Sequence, residues 1–183
     1  MEILFATSNK NKFNEAAQML KAEGIDLKQY SFSYNEIRSD SLEEIARDAI
    51  TAAYKRCKLP VFVEDSGLFI ESLSGFPGAY SSWALNKIGL DGILKLMEGK
   101  DNRSAYFEAC IAYRDGYDVV TFRGKCPGRI SEEARGEDGF GYDSIFIPEG
   151  EHQTFAESIE LKNKLSHRYK SLLEFSKSLN SRR

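Results

Sequence analysis

Three cysteines, Cys57, Cys110 and Cys126, leave an odd number of thiols and no Cys-x-x-Cys pair, which argues against a disulfide framework or a zinc ribbon. They read as buried, inert thiols, the usual place of a free cysteine. No apolar run is long enough to span a bilayer, and Met1-Glu2-Ile3-Leu4-Phe5-Ala6-Thr7 has no basic stretch ahead of a long apolar one; no membrane span or secretory leader is expected. Cationic runs are equally scarce. None exceeds the terminal Arg182-Arg183, and the net charge is −3, which argues against the broad basic face that holds a nucleic-acid polymer. A small anionic ligand remains compatible. Internal repeats, low-complexity tracts and interdomain linkers are absent too. At 183 residues, the chain is expected to form one cytoplasmic domain, residues 1–183, with a core that needs no covalent staples.

What is present has the rhythm of an α/β protein. Residues 3–7 read as a short buried strand, and a polar turn leads to a helix whose Phe13, Ala16, Ala17 and Leu20 recur at helical spacing until Gly24. A partly exposed strand is expected around residues 27–34. A second helix opens with the capping-box pattern Ser41-Leu42-Glu43-Glu44, and Leu42, Ile45, Ala46, Ala49, Ile50 and Ala53 supply its apolar face. Val61-Phe62-Val63 reads as a buried strand that leaves Glu64 and Asp65 at its carboxyl end, where α/β sheets place ligands. After a Gly/Pro loop at residues 75–78 come helical patterns at 83–88 and 92–97. Residues 105–114 and 117–125 then flank Asp115-Gly116 as an antiparallel hairpin with a two-residue turn. A strand at 144–147 and a helix carrying Tyr169, Leu172, Leu173, Ser176 and Leu179 complete a mixed, twisted sheet with helices on its faces.

Several segments carry chemistry suited to a nucleotide. Thr7-Ser8-Asn9-Lys10-Asn11-Lys12 would aim backbone N–H groups, a helix amino end and two ammonium groups at a polyphosphate; an ordinary turn with solvated lysines shares that pattern. It lacks Gly-x-x-x-x-Gly-Lys-Ser/Thr, so P-loop chemistry is unsupported. Glu36 and the Glu64-Asp65 pair could hold magnesium, or be solvated acids at strand ends. Adjacent residues of an extended chain face opposite sides, so Glu64 and Asp65 do not serve one ligand position. In Gly139-Phe140-Gly141-Tyr142-Asp143, before Ser144-Ile145-Phe146-Ile147-Pro148, the Phe140 ring could stack on a purine. Asp143 could accept from a ring N–H that hypoxanthine and xanthine have and adenine lacks; the alternative is an aromatic core plug in a Gly-rich turn. Lys162, Lys164, His167 and Arg168 offer four donors within seven positions, as triphosphate contacts or as a solvated face. Tyr80 and Trp83 read as a lid or dimer edge, with core packing an equal reading for Trp83.

These segments, with Gly75-Phe76-Pro77-Gly78-Ala79-Tyr80-Ser81-Ser82 and Thr154-Phe155-Ala156-Glu157, stand in an order that resembles the Ham1 family of inosine triphosphate pyrophosphatases over nearly the whole chain. The resemblance implies a two-lobed fold around a long central sheet with the nucleotide in a central cleft, and a homodimer. It implies magnesium-dependent hydrolysis of noncanonical purine nucleoside triphosphates (ITP, dITP and XTP) to monophosphate and pyrophosphate. It selects Glu36 and Asp65 for the metal, with Asp65 also accepting a proton from the attacking water. Thr7, Ser8, Asn9, Lys10, Asn11, Lys12, Ser66, Phe140, Gly141, Tyr142, Asp143, Lys162, His167 and Arg168 are implied to contact substrate. The Phe-Gly-Tyr-Asp and Ser-His-Arg segments favour this family over the related Maf pyrophosphatases. Where the family commonly reads Asn-Ala-x-x-Lys-Ala, this chain has Asp48-Ala49-Ile50-Thr51-Ala52-Ala53 and so lacks the lysine.

Overall fold

The computed structural model describes residues 2–116 and 118–181; Tyr117, the first residue of the expected second hairpin strand, and the Arg182-Arg183 pair lie outside them, as does Met1. Seven strands form one sheet: β1 (Glu2–Ala6), β2 (Asp26–Tyr30), β3 (Val61–Ile70), β4 (Pro77–Gly78), β5 (Ser104–Arg114), β6 (Val119–Ile130) and β7 (Phe146–Pro148). Their order is β2-β1-β3-β5-β6-β7, with β4 also on β3. β1 is parallel to β2 and β3, whereas β3–β4 and β6–β7 are antiparallel, giving the expected mixed α/β sheet. Among the described residues five α-helices accompany it: α1 (Lys10–Ala22), α2 (Leu42–Cys57), α3 (Ser81–Leu96), α4 (Ile159–Leu165) and α5 (His167–Asn180).

The chain divides into two compact units: Met1–Asp65, Ala109–Gly124 and Arg168–Arg183 in the first, Ser66–Glu108 and Lys125–His167 in the second. Each has its own core. In the first, Phe175 of α5 meets the rings of Phe62, Tyr113 and Phe122 at centroid distances of 5.1, 5.1 and 5.5 Å, among Ile3, Leu20 and Ile111. In the second, Phe107, Phe146 and Phe155 pack with Ile93, Met97 and Tyr142.

Local signals explain most elements. Ser41 accepts from the Glu44 N–H at 3.3 Å, as half of a capping box; the other half runs through Ser39, whose hydroxyl accepts from the Ser41 N–H and donates to Glu44. All six residues named for the α2 face are buried. The two helical patterns at 83–88 and 92–97 merge into α3 across a break at Gly89, where φ is 65°.

Several expectations need correction. β3 does not end before Glu64 but continues to Ile70, so both acids lie within the strand. Gly67 permits this: a Cβ there would lie 2.2 Å from the Gly78 carbonyl oxygen, so only glycine allows β4 so close. β2 ends at Tyr30, and Tyr30, Phe32 and Tyr34 instead stack ring on ring along an unpaired stretch, at 5.7 and 5.3 Å. β6 begins at Val119 with Asp118 outside it, so the second hairpin strand starts later than expected. Residues 143–145 form a 3₁₀ turn, so the strand expected from 144 begins at Phe146. Cys110 and Cys126 are buried as expected, whereas Cys57 is only half-buried. Trp83 is 59% exposed, which removes core packing as its role.

Candidate functional site

The first unit holds the proposed phosphate groups. β1 ends at Ala6, and Thr7 is fixed by its N–H on the Tyr30 carbonyl and by its own carbonyl, which accepts from Gln29 Nε2. Asn9 then caps α1, its Oδ1 accepting from the Lys12 N–H at 3.1 Å. The remaining amides of the first turn have no intrahelical partner, and no acid occupies that turn. Ser8, Asn9, Lys10 and Asn11 are exposed. The positive helix end therefore faces solvent with two lysines beside it, an arrangement that attracts anions.

Glu36 and Asp65 are far apart in sequence, yet the charge of each bears on the ionisation of the Tyr34 hydroxyl. Burial pushes that hydroxyl's pKa up, and the charges of Glu36, Asp48 and Asp65 push it further. Its oxygen is buried, and among the described residues it has no hydrogen-bond partner within 3.5 Å, although a longer side-chain contact with Glu36 adds to the rise. Asp48, noted in the sequence only as a departure from the family pattern, thus joins the two selected acids. Tyr34 was not foreseen at all, although its place two residues before Glu36 was a usable signal. Among the described residues no three His, Cys, Asp or Glu side chains are already arranged as a metal cage. The donor set nevertheless fits magnesium, which favours carboxylate oxygens and commonly binds through one or two of them, with water and substrate phosphate completing its shell.

Glu64, on the other side of β3, belongs to a different group. Its side chain is 1% exposed and takes two bonds from Arg168, from Nε at 2.6 Å and Nη2 at 3.0 Å. Arg168 Nη1 donates to Glu15 at 2.6 Å. Burial works against the guanidinium charge, but Glu64 and Glu15 outweigh it and raise the pKa above its ordinary value. Lys12 reaches the same acid more loosely, with Nζ 3.5 Å from Oε1 and 3.4 Å from the Glu64 carbonyl oxygen.

The second unit holds the proposed base groups. Asp143 is buried, and its Oδ2 accepts from the Phe140 N–H at 2.7 Å and from Lys162 Nζ at 2.6 Å. The Lys162 ammonium lies 4.3 Å from the centroid of the Phe140 ring. The loop can close around the carboxylate because Gly139, at φ 76°, has no Cβ; one built there would lie 2.3 Å from Asp143 Oδ2. The two aromatic residues of the motif divide the roles weighed for Phe140. Tyr142 is the core plug, its hydroxyl donating to the Ser81 carbonyl at 2.7 Å and its pKa pushed up by burial to about 12. Phe140 stays half-buried beside a cavity of about 190 Å³ lined by residues 136–141 with Asp143 and Ser144.

Thr154-Phe155-Ala156-Glu157 supports that loop from behind. The Asp143 carbonyl accepts from the Ala156 N–H, and the Ala156 carbonyl from the Asp138 N–H, both at 3.2 Å. The solvated-face reading fails for most of the cationic cluster: Lys162, His167 and Arg168 are 2, 4 and 3% exposed, and only Lys164 lies in solvent. His167 stacks on Phe107 at 4.6 Å between centroids. Ser66 and Gly141 are half-buried.

Comparison with known proteins supplies the relatives of this arrangement. The sequence profile of the Ham1 family matches residues 3–178. The chain is 52% identical over 177 residues to a dITP/XTP pyrophosphatase of Methanopyrus kandleri, covering 96% of this chain and 94% of the relative. It is 50% identical over 176 residues to a dITP/XTP pyrophosphatase of Pyrococcus horikoshii, covering 96 and 95%. Among solved structures, the Staphylococcus aureus Ham1 protein superposes with a TM-score of 0.85 over 100% of both chains at 28% identity.

Proposed function

The chain belongs to the Ham1 family, and from that membership and the side chains above we propose that it hydrolyses noncanonical purine nucleoside triphosphates (ITP, dITP and XTP) to the monophosphate and pyrophosphate. The observation that carries this reading is the solvent-facing amino end of α1 with Lys10 and Lys12, in the unit that also carries the Glu36 and Asp65 carboxylates. Relatives named as dITP/XTP pyrophosphatases support the substrate class.

In this reading the α1 amino end, Lys10 and Lys12 neutralise the triphosphate, with Thr7, Ser8, Asn9 and Asn11 beside them, and Ser66 also contacts substrate. Bound magnesium would be held by Glu36 and Asp65 and would offset the phosphate charge that repels an incoming water. Asp65 holds that water and accepts its proton. Phe140 presents a ring face to the purine, Gly141 and Tyr142 contribute backbone, and Asp143 accepts from the N–H of a 6-keto base. Lys162, His167 and Arg168 complete the contacts to base and sugar.

A homodimer belongs to the same reading, supported by the exposed Phe76, Tyr80, Trp83 and Ile88 on and before α3. So does a cytoplasmic place beside the nucleotide pool; among the described residues no helix is long and apolar enough to cross a membrane.

Glu36→Gln and Asp65→Asn keep size and remove ligand charge. Each should lower kcat/KM for ITP on the order of 100-fold with the melting temperature retained, and the magnesium concentration for half-maximal activity should rise. Unchanged turnover and magnesium response in either variant would remove that residue from the metal role.

A further inference from the structure

Glu64 has no part in the chemistry above, yet it joins three elements that do. It lies one residue before Asp65 on β3, and its carboxylate meets Lys12 from α1 and Arg168 from α5. The two cations are not held alike. Arg168 takes the short bonds, 2.6 and 3.0 Å, and is itself pinned by Glu15 at 2.6 Å. Lys12 remains at 3.4 to 3.5 Å from Glu64, with its side chain 18% exposed.

That inequality has a consequence for an anion. A lysine facing a lone carboxylate would close into a tight pair and bring little charge to a ligand. Here the Glu64 charge is largely answered by the fork of Arg168. Lys12 is oriented by what remains, and its four-carbon stem is held without its ammonium being quenched. We propose that Glu64 is a positioning residue for the phosphate end: locked by Arg168 and Glu15, it presents the Lys12 ammonium to the substrate triphosphate. The proposal rests on the assignment of Lys12 to the triphosphate. It gives Arg168 a duty in holding Glu64 beyond its contact with the nucleotide.

A double-mutant cycle on ITP hydrolysis, with melting temperatures taken alongside, tests it. Glu64→Gln should raise KM about ten-fold with kcat changed by less than about three-fold, and Lys12→Gln should raise KM at least as much. In the double variant the Glu64 effect should vanish, leaving KM within about two-fold of Lys12→Gln alone. A merely structural Glu64 would lower the melting temperature and leave KM unchanged, or would add its full KM penalty in the Lys12→Gln background; either result overturns the proposal. If Lys12→Gln itself leaves KM unchanged, the phosphate assignment of Lys12 falls and the proposal falls with it, an outcome distinct from additive effects. Should Glu64→Gln fail to fold, Glu64→Asp carries the same comparison. It keeps the charge but withdraws it by one methylene, and its KM penalty must likewise disappear without Lys12.

Discussion

Asp143 is one carboxylate asked to do two things. It holds the Phe140 loop and the buried Lys162, and the proposed function also has it accept from the base. Removing the side chain outright would leave Lys162 buried without its counter-charge, a change that typically costs about 3–5 kcal/mol. Asp143→Asn withdraws the same charge from Lys162, but it is the gentler probe, because its amide oxygen can still accept from both Phe140 and Lys162. It should compress the preference for ITP over ATP by about ten-fold, since an adenine base gains nothing from the lost acceptor. Measuring kcat/KM for both nucleotides at a temperature where both proteins are folded decides it; an unaltered ratio would reduce Asp143 to a support of the loop. The sequence showed the residue types of this cluster but not their depth. Lys162 and Lys164 look alike in the chain, and what separates them is an ion pair with an acid 19 positions away. Phe140 and Tyr142 likewise differ only once the Ser81 carbonyl is in place to receive a phenol. Glu15 was missed for the same reason, since nothing near it in sequence announces Arg168.

Elements with one-sided patterns were legible, and those sustained by distant pairing were not. α2 shows both its cap and its face in sequence, whereas β3 runs through Glu64-Asp65-Ser66-Gly67, a stretch of poor strand formers. It survives because Leu68 and Phe69 pair with β4 and because Gly67 admits the Gly78 carbonyl. α4, seven residues long, was too short to show a period. α2 carries a further test through Glu43, which bonds Arg47 on its own helix and Arg123 and Thr121 on β6. Those bonds, from Arg47 first and then Arg123, hold the Glu43 carboxyl well below its usual range, at about 2. A depressed carboxyl stabilises the fold fully above its unfolded pKa and loses that contribution as pH falls toward its folded one. The side chains of Arg47 and Arg123 are 47 and 54% exposed, so the effect is set at about 1 kcal/mol. Glu43→Gln should therefore melt below the wild type at pH 7, and the gap should close as pH drops from about 4.5 toward 2. A gap that stays constant over that range would show that the ion pairs contribute nothing.

At the scale of the molecule, two cores and a mixed sheet carry two sets of side chains with different tasks. The first unit gathers the cationic helix start and the Glu36, Asp48 and Asp65 carboxylates; the second gathers Phe140, Asp143 and Lys162. The chain passes from one unit to the other within Asp65-Ser66 and again within His167-Arg168, so two of the sequence motifs belong to both. Order and spacing of motifs made the family legible from sequence, and strand and helix patterns made the mixed α/β architecture so. The resemblance also implied two lobes, but which residues fall in each unit was not legible, because that depends on which residues of β3, β5 and β6 pack with which core. The central claim is that the proposed reaction breaks the anhydride between the α- and β-phosphates of a 6-keto purine triphosphate. Phosphorus NMR of the purified protein turning over ITP with magnesium tests it most directly. The account predicts that inosine monophosphate and pyrophosphate appear together in equal amounts from the first time point, with ATP consumed far more slowly. Accumulation of inosine diphosphate with orthophosphate would contradict it.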